Sequence, residues 1–556
     1  MEQATKLPGI FFFSFRFQLA RGEGTPPASP TRADLDRELE AIRRTPDAIA
    51  THELARQMRS HLNRLSLFHR LPTEMISAIF CFAQSCARPD EQVVRIASVS
   101  RLWREIATQM CSTLWATLDT LPIPLISIFL SRSEPAPLEI IFDTSTTPTR
   151  VDILEFFELV VPHIHRWRVC RIVHNKLEEN KQDVLSLLQQ TAAAPHLEVL
   201  QLNFLDGTQP HVIPFELSHP FSGIAPRLHT INCDIHISLS SQILRGLAKL
   251  HLSKIVYTEP TELLRALELC PLLESISFLW LQFRSIPIAR APDPVIALRH
   301  LQVLHIEELW QAQWVRLRLL PCIIVPASCN LCIKAHVRSN GDLRHLLPRR
   351  SNFLPNLPDI QSVRMLHISC DADVCILRVC GYIFEARDAE AFSFTMIWGD
   401  VPHDNVFPRV LSSIVREFPL PLIEEVYFWW MGGHHDSDLL ASVESFLRVH
   451  PTLKNITFAG CWPWDRILEI LVVTPTRHLC PLLEELSLIC NSPNWDAGER
   501  ALLELVKSRT APMPGHLASM VPLQRLFFGS PCARPSASTL LKLQTYVTAG
   551  SKLYDL

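Results

Sequence analysis

The sequence predicts a mixed fold, α+β to α/β, made of repeats and preceded by a small unit of three short helices. Two observations predict it. A phrase of the form L-x-x-L-x-L returns nine times between Leu197 and Phe528, and each copy alternates like a half-buried strand. About fifty residues near the N-terminus instead carry three apolar faces at helical spacing. Composition agrees. Glycine is scarce, at 16 residues, and proline plentiful, at 42, which suits many short elements with sharp stops.

A chain of 556 residues exceeds one typical domain, so two or more units are expected. With 47% hydrophobic and 20% charged residues it reads as globular. A net charge of −3 exerts no global pull on nucleic acid or anionic membranes, and neither is expected as a partner. Apolar runs such as Ile467–Val473 are too short to cross a bilayer. The run Gly9–Phe17 is interrupted by Arg16 and preceded by Glu2, unlike a secretory signal. The expected location is therefore cytoplasmic or nuclear, and the 16 cysteines are expected to be reduced. Cys329 and Cys332 form a lone CxxC, and Cys370, Cys375 and Cys380 follow at five-residue steps. A structural zinc site needs four ligands, so both groups read as core residues. No metal and no cofactor is expected.

Taken in order, residues 1–33 read as a poorly ordered start ending in a linker, GEGTPPASPTRA at 22–33. Residues 34–69 read as a helical lead-in, with Leu35, Leu39 and Ile42 at helical spacing. The three-helix unit spans 70–119. Leu71-Pro72-Thr73-Glu74 opens its first helix: proline is tolerated in a first turn, and a carboxylate suits the positive end of the dipole. Ile76, Ile79, Phe80 and Ala83 then line one face. Val93, Ile96 and Ala97 give a second face. Leu102, Trp103, Ile106, Ala107 and Met110 give a third, and Leu114-Trp115 closes the unit. So small a unit is marginal alone, and an exposed apolar edge would be better buried against a partner.

The order and spacing of Leu71-Pro72-x-Glu74, Ile79-Phe80, Val99 to Arg104 and Leu114-Trp115 resemble the F-box motif. Leu130 to Leu138 resembles the segment after the F-box in large F-box families of mushroom-forming fungi. Ser100 stands where cysteine is frequent in that motif. The resemblance implies docking on the Skp-family adaptor of a cullin-based ubiquitin ligase (SCF). It places Leu71, Pro72, Glu74, Ile76, Ile79 and Phe80 in or beneath that interface, with Trp103 and Trp115 knitting the helices.

Residues 120–195 are expected to form a connecting α/β segment, 196–530 the repeats and 531–556 a tail. The clearest steps are 28 residues from Ile276 to Leu304, and 30 from Val426 to Ile456 and from Ile456 to Leu486. Helical stretches ending near a proline precede several phrases, as in Leu263 to Pro271 and Val443 to Pro451. Each unit therefore reads as helix, proline turn, strand, and the whole as an irregular solenoid of leucine-rich-repeat type. One repeat cannot bury its own apolar face, so neighbours stack into a parallel sheet. The step is uneven: 19 from Ile231 to Leu250, and 60 from Leu366 to Val426. The long gap leaves room for a hidden unit around Met396.

Two aromatic stretches sit just past repeat strands, Trp429-Trp430 running into His434-His435, and Trp462-Pro-Trp464. Equivalent places in a solenoid lie side by side, so Trp429, Trp430, His434, His435, Trp462 and Trp464 are the candidates for substrate contact. Packing of large side chains is the simpler alternative. Neighbouring residues in a strand point apart, which argues against a metal held by His434 and His435.

No GxSxG, GK[ST] phosphate loop, HExxH or GxGxxG occurs, so the chain is expected not to be an enzyme. The expected function is that of an adaptor that recruits a protein substrate to the ligase. A scaffold that binds partners without feeding a ligase is the alternative, and an enzyme assembled from distant residues a third.

Overall fold

The computed structural model describes residues 53, 56–58, 68, 71–85, 89–119, 121–145, 151–174, 181–190, 192–204, 216–286, 295–308, 314–337, 341–348, 356–383, 390–398, 406–418, 420–431, 437–490, 496–510, 520–529 and 535–551. The segments 1–33 and most of 34–69, for which a linker and a helical lead-in are expected, lie outside them, as do His434 and His435. The chain divides into two compact units, Met1–Cys111 and Ser112–Leu556.

Besides helical residues at 53 and 56–58, the described part of the first unit holds α1 (Thr73–Ser85), α2 (Pro89–Val99) and α3 (Arg101–Gln109). The Pro72 carbonyl accepts from the Met75 and Ile76 N–H groups at 3.0 and 3.1 Å, so the proline opens α1 without losing a bond. Ser100, with extended backbone, caps α3 by accepting the Trp103 N–H at 3.1 Å. Ser100 thus has a local task, satisfying one of the free donors at a helix start. Ile76 and Phe80 from α1, Val93 and Ile96 from α2, and Ile106 and Ala107 from α3 are buried. The Trp103 ring lies 4.9 Å from both Phe68 and Phe80.

The second unit is a mixed α/β structure around one 17-stranded, mostly parallel sheet. Its strands are β1 (Thr117–Asp119), β2 (Leu138–Asp143), β3 (Trp167–His174), β4 (Val199–Phe204), β5 (Thr230–Cys233), β6 (Lys249–Ser253), β7 (Ser275–Leu279), β8 (Val303–Glu308) and β9 (Asn330–Val337). There follow β10 (Met365–Asp371), β11 (Ile376–Tyr382), β12 (Glu390–Trp398), β13 (Glu425–Met431), β14 (Asn455–Gly460), β15 (Glu485–Cys490), β16 (Arg525–Gly529) and β17 (Thr548–Ser551). All nine L-x-x-L-x-L phrases contribute a strand.

Register explains the phrase. Cys170, Leu200, Ile231, Leu250, Ile276 and Leu304 are successive parallel partners, all buried. A second buried row, two residues on, runs through Leu202, Cys233, Leu252, Phe278 and Ile306. The phrase is the footprint of two continuous apolar ridges, with the residues between them on the opposite, outward face. The phrase's first leucine closes the turn before each strand. Its N–H bonds to the carbonyl three residues back: Leu197 to Ala194, Leu228 to Ala225, Leu273 to Cys270, Leu453 to His450 and Leu483 to Cys480, at 3.1 to 3.4 Å. Each acceptor directly precedes a proline, which stops the incoming segment.

Among the described residues, α4 (Ile123–Arg132), α5 (Ile153–Val160), α6 (Lys181–Gln190) and α7 (Pro260–Glu268) alternate with the early strands. α8 (Val406–Glu417), α9 (Ser437–Val449), α10 (Trp464–Leu471), α11 (Asp496–Thr510) and α12 (Ala537–Gln544) alternate with the later ones. The 19-residue step from Ile231 to Leu250 is explained by a single 3-10 turn, Gln242–Leu244, between β5 and β6. Buried Arg509 on α11 donates to the carbonyls of Leu471, Leu479 and Cys480 at 2.8 to 3.1 Å, tying the helix to the turn before β15.

The 60-residue step has a different cause from the one expected. A strand does form around Met396, but not between Leu366 and Val426, which are direct parallel partners. β10, β11 and β12 form an antiparallel meander that runs backwards across the sheet. β12 returns to pair with β9, and β13 attaches to the far side of β10. The order across this region is therefore β9, β12, β11, β10, β13.

The expected segment boundaries shift accordingly. β1 lies within the stretch expected to close the F-box, and it pairs with β2. β2 and β3, from the expected connecting segment, belong to the same sheet, and β17, from the expected tail, pairs with β16. β1 and β17 are only three and four residues long, and in β3 the phrase's leucine positions are held by Trp167 and Cys170.

Candidate functional site

In the first unit α1 carries two apolar stripes. Ile76 and Phe80, four residues apart, face inward and are fully buried. Phe80 is packed against Trp103, so this stripe is spent within the unit and is not open to a partner. The second stripe runs through Pro72, Met75, Ile79 and Phe82, at helical spacing. Met75 is 50% exposed, Ile79 38% and Phe82 73%, and Pro72 and Glu74 are exposed as well. Leu71 is half-buried, its N–H bonded to the Phe68 carbonyl at 3.2 Å. Met75 and Phe82 were missed from the sequence. The signal was present, since 72, 75, 79 and 82 repeat at three- and four-residue steps, but it was merged with the inward stripe.

Trp103 is half-buried among Phe68 and Phe80. Trp115 falls in the second unit, where its ring packs edge-on against Phe129 at 4.9 Å and beneath Arg132, whose guanidinium carbon is 4.4 Å from the ring centre. Its role there is to seat α4 on the start of the sheet.

The aromatic residues expected at a substrate rim are mostly core. Trp430, Trp462 and Trp464 are 6%, 3% and 5% exposed. Trp430 and Trp462 lie 5.6 Å apart; Trp462 also packs against Phe428 and Phe458 and donates its indole N–H to the Ala459 carbonyl at 2.9 Å. The correction has a plain physical cause. Trp430 is an inward position of β13, and Trp464 begins α10, whose inward face covers the sheet. Burying such rings releases more apolar area from water than any other side chain can, so packing prevails over display. Trp429, one residue earlier, is on the outward face and half-exposed.

Several outward charges are paired along the sheet: Glu307 with Lys334 and Arg378 with Glu390, each at 2.8 Å, and Glu424 with both Arg364 and Lys454 at 2.9 and 2.8 Å. Burial lowers the basicity of the outward histidines His251 and His305; nearby His305 lowers that of His251 further, while beside His305 the Glu307 carboxylate opposes the effect of burial and Lys334 adds to it.

Comparison with known proteins adds little. No family model matches the chain, and no curated protein does. Among solved structures, the crystal structure of a TLR13–ssRNA13 complex is similar over 70% of this chain and 64% of that chain, with 12% identity and a TM-score of 0.25. This chain thus spans less than two thirds of that relative. No described helix is long and apolar enough to cross a membrane.

Proposed function

We propose that this protein is a non-enzymatic F-box adaptor of a cullin-based SCF ubiquitin ligase, with a leucine-rich-repeat-like solenoid that binds a protein substrate. The observation that carries the reading is the outward stripe of α1. A helix opened by Leu71-Pro72-x-Glu74 exposes Met75, Ile79 and Phe82 in a row, in the part of the chain that resembles the F-box. An apolar row on a unit this small is costly to leave in water, and buried aliphatic and aromatic anchors usually carry interface energy. The Skp-family adaptor is its partner, and the cullin joins through that adaptor. The in-register ridges of the second unit support the solenoid reading, since they bury a core only by stacking.

In this role the chain forms no bond. It holds a substrate lysine near the charged conjugating enzyme and raises its effective concentration. The test is co-purification of the tagged full-length chain with the Skp-family adaptor and cullin, beside a Met75→Glu, Ile79→Glu variant. Recovery of both partners by wild type, and of neither by a folded variant, supports the reading. If wild type brings down neither, the ligase role is lost.

A further inference from the structure

Strands β13 and β14 end on a pair of sulfurs. Cys461 directly follows β14 and lies one repeat after Met431, the last residue of β13. Its thiol donates toward the Met431 thioether, Sγ to Sδ 3.9 Å. Both side chains are half-exposed, so solutes reach them. The backbone holds each sulfur-bearing residue in place. The Cys461 N–H donates to the Trp430 carbonyl at 2.8 Å, and the Met431 carbonyl accepts the Ala372 N–H at 3.0 Å. Gly460 permits the first of these approaches: its φ is +106°, and a Cβ there would collide with the Trp430 carbonyl. Spacing in the sequence hid the pair, because its members are 30 residues apart.

A carboxylate stands beside them. The turn between β10 and β11 reaches the same end of the sheet through Ala372. Asp371 sets that turn by accepting the Asp373 and Val374 N–H groups at 3.0 and 3.3 Å. Burial, and then the charge of exposed Asp373, raise the Cys461 thiol above its ordinary pKa. A cation in place of the thiol proton therefore meets a negative charge already there. The donors decide which cation. A structural zinc site needs four ligands, and among the described residues not even three His, Cys, Asp or Glu side chains converge to hold a metal. Thiolate with thioether is a soft donor pair, suited to copper(I), which is content with few ligands. Metal–sulfur bonds of about 2.3 Å reach across at most about 4.6 Å between two sulfurs. The observed 3.9 Å thus admits the ion in a bent arrangement with little side-chain movement.

We propose that Cys461 and Met431 form a binding site for a soft monovalent metal ion, copper(I), with the Asp373 carboxylate supplying a compensating charge at its edge. On binding, the Cys461 S–H bond gives way to an S–Cu bond and the proton leaves to water. The Met431 sulfur donates a lone pair. The copper stays monovalent, and no electron moves. The bound ion ties the ends of β13 and β14 together. Trp429 lies two residues before Met431 on the same outward face, where its indole reports on the site. The site goes beyond the adaptor reading and does not depend on it.

The experiment titrates the reduced full-length protein with copper(I) under nitrogen, in competition with the chelator bicinchoninate, and follows the coloured chelate together with tryptophan fluorescence. The expected result is a single ion withheld from the chelator, with quenched emission. Met431→Leu, which conserves volume, weakens that binding at least about tenfold, and Cys461→Ser at least about a hundredfold. Cys332→Ser, which removes a half-buried thiol on β9, leaves it unchanged. Unchanged melting temperatures show that the variants are folded, and either site variant suffices if the other is not. X-ray absorption at the copper edge of the wild-type complex is expected to show sulfur neighbours at about 2.3 Å. No ion withheld from the chelator, full retention by a folded Met431→Leu or Cys461→Ser, equal weakening by Cys332→Ser, or only nitrogen and oxygen around the copper overturns the proposal. Adaptor co-purification is expected to be the same in all three variants, so its outcome bears on the ligase reading alone.

Discussion

Gly381 on β11 faces Phe392 on β12 across the antiparallel pair, and the phenyl ring fills the space where a side chain on residue 381 would stand. Leu366, on the other flank of Gly381, continues the same row. The apolar ridge that crosses the parallel strands is thus carried through the reversed meander by one large ring lying over one glycine. The backbone angle of Gly381 is unexceptional, so the requirement is for space. Gly381→Ala is expected to destabilise the second unit by about 2 kcal/mol through overpacking, read from the urea midpoint. Phe392→Leu in the same chain makes room, and the pair should cost less than the sum of the singles. Additive losses would show that the two residues do not share the space.

The two stripes of α1 separate stability from docking. Phe80→Ala removes a buried ring from beside Trp103 and should cost about 3–5 kcal/mol, lowering the melting temperature. Ile79→Glu places a charge on the outward stripe. It should leave the melting temperature within a degree or two and abolish adaptor co-purification. A large stability loss from Ile79→Glu would mean that the outward stripe is already packed.

Glu308 stands at an inward position of β8, where its carboxylate accepts only the Val315 N–H, at 3.3 Å, among the hydrogen bonds described. Burial pushes its pKa up to about 8, from 4.5 for a free glutamate. The native state therefore holds a proton that the unfolded chain releases between those values. Stability is full below about 4.5 and falls as pH rises toward 8, by at most about 5 kcal/mol. Glu308→Gln should flatten that decline in denaturant titrations from acid to pH 8. An unchanged slope would assign the decline to other groups.

His450 occupies the buried pre-proline position that is cysteine at 270 and 480. Its enclosure lowers its pKa to about 4 from 6.5, and its Nε2 has no hydrogen-bond partner. Here the unfolded chain takes up the proton first, so stability is lost as pH falls from about 6.5 toward 4. His450→Cys should keep the turn, in which the residue's carbonyl accepts the Leu453 N–H, and remove this acid sensitivity. Persistence of the same acid limb in the cysteine variant would refute the assignment.

The sequence by itself determined the local elements. Nine apolar phrases became nine strands because a period of two, with leucine or its equivalents on one side, leaves the backbone one way to bury that side. Pro72 and Glu74 marked the start of α1 for equally local reasons, as did the prolines that close each repeat turn. Tertiary structure decided what lay beyond one segment. The meander's reversed order rests on which strand edges pair, a relation between residues 60 or more apart such as Leu331 and Phe392. The fate of the tryptophans was settled the same way. Trp429 and Trp430 are equally aromatic in sequence, but one faces out and the other is buried with Trp462, because a strand sends neighbours to opposite faces and only the assembled sheet defines which face is the core.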